Sequence, residues 1–99
     1  MSVPLRFHPE ADLDVLNATL WDEEQRLGLG TEFLNQFSSL LDRVANMPFQ
    51  FPAIDRPIRR ALLHRFPYGV YFDPTREEVK VLAVLHLLHH PDTWKKRRS

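Results

Sequence analysis

A chain of 99 residues, 43% apolar and without cysteine, can build one domain around one modest core, and it excludes disulfides, thiolate catalysis and thiolate metal sites. Net charge is zero, yet residues 1–50 carry three basic against eight acidic residues and residues 51–99 carry ten against five, so any anion-binding function belongs to the second half. No apolar run approaches the roughly 18 residues that cross a bilayer. The start, MSVPLRFHPEADLDV, lacks the basic flank, apolar block and cleavage site of a secretory signal, and a reducing cytoplasm fits.

Taken in order, VPLRF (residues 3–7) predicts a short strand whose Pro4 suits its beginning or a sheet edge. Pro9 then fits the first position of a helix, and Glu10 and Asp12 favour the positive end of the helix dipole. Leu13, Leu16, Leu20 and Leu27 follow at helical spacing and line one face, until Gly28 and Gly30 end the helix. A second helix begins near Thr31. Phe33, Phe37, Leu40, Val44 and Met47 form its stripe, widened by Leu34 and Leu41, and Pro48 closes it. The brief Gly-Leu-Gly connection makes the pair an antiparallel hairpin.

Residues 49–57, FQFPAIDRP, read as a loop because of Pro52 and Pro57. Three strand-like runs follow at 58–66, 68–73 and 79–86, separated by Pro67 and by the turn DPTREE. Short connections make them antiparallel neighbours, and the apolar end of the last run marks a central strand covered on both faces. The expectation is one α+β domain over residues 1–99, β-α-α-β-β-β, with the helical hairpin on one face of a small antiparallel sheet.

In order along the chain stand HPEADLD, GLGTEFL, a proline after the second helix, RRALLHRFPYGVYF and VKVLAVLHLLHHPDTW. Together these segments resemble the toxins of the RelE/ParE superfamily of bacterial type II toxin–antitoxin systems, often called plasmid stabilisation proteins. The likeness runs from about Phe7 to Trp94, and the ordered set carries it rather than any single piece. It implies a cytoplasmic growth inhibitor held inactive by a cognate antitoxin, with a toxin–antitoxin heterotetramer among the assemblies it allows. ParE-like members poison DNA gyrase without being enzymes. RelE-like members cleave messenger RNA on the ribosome without a metal. A third alternative is an inactive member kept as a binding module.

Cleavage without a metal needs a base for the ribose 2′-hydroxyl, a cation for the phosphorane and an acid for the leaving oxygen. If the chain is RelE-like, Arg65 and His86 are the catalytic candidates. Arg59, Arg60, Tyr68, His89 and His90 are candidates for contact with the target in either case, and His64 and Tyr71 are further proton-exchange or stacking groups. Two features favour the ParE-like mode: the neutral net charge, and His86-Leu87-Leu88-His89 standing where RNA-cleaving relatives often have His-x-x-Arg. Arg60 could equally pair with the acidic first helix.

No cofactor or metal is implied. His86, His89 and His90 have the i, i+3, i+4 spacing of a helical metal pair but lack further ligands, and on a strand through His86 their side chains diverge. Pro91, Asp92 and Trp94 read as a tail that folds back with the indole as its anchor, and Lys95 to Arg98 as a solvated end or a contact with nucleic acid or an acidic antitoxin segment.

Overall fold

The computed structural model describes residues 2–90 and 92–98. Pro91, expected to stop the last strand and open the tail, lies outside the described residues. The elements are β1 (Leu5–Phe7), α1 (Pro9–Gln25), α2 (Leu29–Asn46), β2 (Ala53–Asp55), β3 (Ile58–Leu62), β4 (Tyr68–Pro74) and β5 (Val79–His86). Short 3-10 turns at Pro48–Gln50 and Thr93–Arg97 complete them. The fold is α+β, and both helices lie against one face of the sheet.

Local chemistry sets the hairpin. His8 caps α1, its Nδ1 accepting the Glu10 N–H at 3.1 Å, with Pro9 in the first turn. At the other end Gly28 adopts φ 89°, a conformation open mainly to glycine. Gly30 lies in α2 rather than ending α1, and glycine is required there because a Cβ would stand 2.9 Å from the Thr19 carbonyl oxygen. The Glu23 carboxylate accepts the N–H groups of Gly28 and Gly30 at 3.0–3.1 Å, satisfying orphan donors at the positive end of α2.

The sheet order is β1-β5-β4-β3-β2. It is mixed rather than wholly antiparallel: short links fix β2 to β5 as antiparallel neighbours, while β1 enters from the far end of the chain and lies parallel to β5. The expected loop at 49–57 contains both a 3-10 turn and β2, a three-residue edge strand held by pairing with β3. Its flanking prolines hid it from the sequence, since prolines are tolerated at edges.

β4 and β5 contain a bulge: Tyr71 opposes Ala83 but Phe72 opposes Val81, leaving Leu82 as the extra residue. The bulge reverses side-chain parity along β5. Val79, Val81 and Val84 therefore face the helices beside Phe33, Phe37 and Val44, while Leu82, Ala83 and Leu85 face the other side. There Trp94 folds back and stacks on Tyr71, with ring centroids 5.9 Å apart. The tail is thus anchored by its indole, as its sequence suggests.

β1 covers β5 only as far as Val81, where the His8 N–H closes on the Val81 carbonyl at 2.8 Å. Beyond that point two side chains replace the missing strand. Asp14 Oδ2 accepts the Val84 N–H at 2.9 Å, and Arg97 donates to the Leu82 carbonyl at 3.1 Å. Arg97 also forks onto both Asp14 oxygens. Their side chains are only 9% and 13% exposed, so Arg97 is a buried pin rather than part of a solvated tail.

Candidate functional site

The end of β5 and the turn after it open a cleft of about 470 Å³ against α1. Tyr68 and His86 form the last cross-strand pair of β4 and β5, and they floor it. Their rings meet edge-on with centroids 5.3 Å apart. From α1, Asn17, Ala18 and the half-exposed Trp21 supply the opposite wall.

The three histidines come together, contrary to the divergence expected of an extended strand. The strand stops at His86, and the His90 N–H donates back to the His86 carbonyl at 3.2 Å, so helical-turn spacing applies. His86 and His89 stack face to face, with centroids 3.9 Å apart and ring planes 9° from parallel, and His90 adds an edge. Among the described residues no group of three or more His, Cys, Asp or Glu side chains converges as metal ligands.

The chemistry of His86 follows from its surroundings. Burial, then the neighbouring His89 and His90, lower its pKa, so the neutral ring is favoured at physiological pH. Its Nδ1 accepts the Leu88 N–H at 3.1 Å, which assigns the proton of the neutral ring to Nε2. The free nitrogen is therefore a donor. To act as a base His86 would have to take a proton on Nδ1 and give up the Leu88 bond. Beneath the cleft, burial and then the Asp22 carboxylate raise the Tyr68 pKa, keeping its hydroxyl protonated. Asp22 is itself raised by burial, and its Oδ2 has no hydrogen-bond partner.

The arginines do not join this cluster. Arg59 points to the helix face of β3, where its guanidinium donates to the Phe49 and Phe51 carbonyls and lies 5.2 Å over the Phe49 ring. Arg60 lies on the opposite face beside Tyr71 and Trp94, so it does not pair with α1. Arg65, at φ 72°, lines a separate cleft of about 380 Å³ with Asp22, Glu32 and Phe66. His64 is exposed in the same loop. Of the sequence candidates, Tyr68, His86, His89 and His90 share the cleft; Arg59, Arg60 and Arg65 occupy three other places.

Sequence reasoning missed Trp21, Asp14, Asp22 and Arg97. Trp21 had one available signal, an aromatic residue standing just outside the leucine register of α1. The other three act through partners as much as 83 positions away, which no local pattern records.

Helical hairpin, mixed sheet and folded-back tail define an α+β fold of the kind that the RelE/ParE resemblance implies. No protein-family model and no curated protein sequence matches the chain. Among solved structures it is similar to a chain of the chromosomal ParDE TA system from P. aeruginosa, with TM-score 0.74 and 13% identity, over 86% of this chain and 96% of that one. At that identity the two share a fold.

Proposed function

We propose that this chain is the toxin of a type II toxin–antitoxin module, acting in the ParE manner by binding a macromolecular target of the DNA gyrase kind. One observation carries the choice. The cleft at the end of β5 is lined by Trp21, Tyr68 and the stacked histidines, and Arg97, the cation at its rim, is already spent on Asp14 and the β5 backbone. A ribonuclease would need a free cation beside a proton acceptor to meet a charged phosphorane. Here His86 presents an N–H, and Arg59, Arg60 and Arg65 diverge from it. Stacking on Trp21 and hydrogen bonds from His86 suit recognition of a surface better than hydrolysis.

The solved likeness supports the toxin reading, since that chain comes from a ParDE TA system. A cognate antitoxin then holds the protein inactive, whether as a heterotetramer or another assembly, and the site of action is the cytoplasm. No helix among the described residues is long and apolar enough to cross a membrane.

The test is expression of the chain alone in bacteria, with and without the adjacent small reading frame. Growth arrest relieved by that frame supports the toxin assignment. Purified protein that blocks gyrase supercoiling and leaves transcripts intact in a translating extract supports the ParE mode. Transcript cleavage lost in Arg65→Ala or His86→Ala would instead establish the RelE mode. Antitoxin binding without toxicity would mark an inactive binding module.

A further inference from the structure

The second cleft, of about 380 Å³, opens at the apex of the helical hairpin, where the end of α1 and the first half of α2 meet the loop between β3 and β4. That volume suits a small molecule. Asp22 lines it from the inner side of α1, a side whose other buried residues are Ala11 and Ala18. The residue is only 6% exposed, and its Oδ2 has no hydrogen-bond partner. Burial raises its pKa accordingly. A buried carboxylate oxygen without a donor is costly to keep, and folded proteins leave few of them.

The other charges of the cleft show what would match it. Arg26 and Glu32 are already spent on each other at 2.7 Å. One acid, Asp22, and one base, Arg65, remain, and among the described residues neither forms an ion pair. Arg65 holds φ 72°, where glycine or asparagine is cheaper, so its guanidinium rather than its backbone accounts for the residue. Leu29 and Phe66, both partly buried, add an apolar wall. A lone cation would leave Arg65 unmatched, and a lone anion would meet the Asp22 carboxylate. We propose that this cleft binds a small zwitterion of the amino-acid class. Its ammonium meets Asp22, its carboxylate meets Arg65, and an apolar side chain lies against Leu29 and Phe66. The site is separate from the histidine cleft and does not depend on the toxin reading.

The experiment titrates the isotope-labelled full chain with L-leucine and with L-leucyl-L-leucine, which carry both charges at different spacings. The N-acetylated form of each lacks the ammonium, and the C-amidated form lacks the carboxylate. Amide shifts should centre on Asp22, Leu29 and Phe66, and the tighter of the two zwitterions gives the spacing of the poles. Acetylation should weaken binding at least about tenfold, because the Asp22 carboxylate is buried. Amidation should weaken it about threefold, because Arg65 is exposed and its pairing is screened. Asp22→Asn, nearly the same shape, should erase the preference over the acetylated form, and the zwitterion should raise the Tm of the wild type but not of this variant. Arg65→Asn, which tolerates the positive φ, should erase the preference over the amide. An absence of shifts in the cleft at millimolar zwitterion would overturn the inference. So would acetylated ligand binding as tightly as the parent, or a preference that survives Asp22→Asn.

Discussion

Replacing Arg97 with alanine is the sharpest test of how the fold is closed. The substitution removes the forked pair with Asp14 and the bond to the Leu82 carbonyl, and leaves the Asp14 carboxylate with the Val84 N–H as its remaining partner. Hydrogen bonds to charged groups contribute about 1.5–3 kcal/mol, and breaking a buried pair by deleting one partner costs about 3–5 kcal/mol. The 3.5 Å contact to the exposed Glu10 adds little. Since both side chains keep slight solvent access, the lower end applies: about 3 kcal/mol, or a fall of about 12–24 °C in Tm for a domain of this size. Urea unfolding measures the loss, and amide exchange at Val84 locates it. A double-mutant cycle with Asp14→Ala should return a coupling of about 2 kcal/mol. A loss under 1 kcal/mol with Val84 still protected would refute the view that side chains substitute there for a missing strand.

Gly30→Ala should destabilise by about 1–3 kcal/mol, because its Cβ would meet the Thr19 carbonyl at 2.9 Å and force the helices apart; urea denaturation measures this. Asp22→Asn should raise stability near neutral pH by about 1 kcal/mol, since the carboxylate is buried with an unpartnered oxygen and its pKa is raised, so its charge is a burden wherever it is ionised. That gain should vanish as pH falls and the acid is protonated in both states. For His86 the sign is opposite. Its folded pKa is lowered, so the unfolded chain binds more protons, and stability present above the ordinary value of about 6.5 declines as pH falls through it toward the folded pKa. NMR titration of wild type against His86→Gln, read beside thermal melts at each pH, separates that residue from the other histidines.

What the sequence made legible was local. The 3.6-residue period of Phe33, Phe37, Leu40 and Val44 marked the buried stripe of α2, and the size of Trp94 marked it as an anchor. Periodicity found the leucines of α1 without telling which way they point, because the buried side of that helix is made of small residues that give a weak signal. The bulge at Leu82, the parallel pairing of β1 and the forked Arg97–Asp14 contact depend on residues tens of positions apart. In the candidate site the histidine spacing was visible, but the turn that stacks His86 on His89 was not. The dispersal of the arginines follows from strand parity and a loop conformation, both fixed only once the sheet has formed.

The most direct measurement of the central claim is gyrase supercoiling with the purified chain added, run beside Trp21→Ala at the cleft wall. The account predicts inhibition by the wild type and at least about tenfold weaker inhibition by the variant, as expected when an aromatic anchor is truncated. Undisturbed supercoiling, together with transcripts cut in a translating extract, would contradict it.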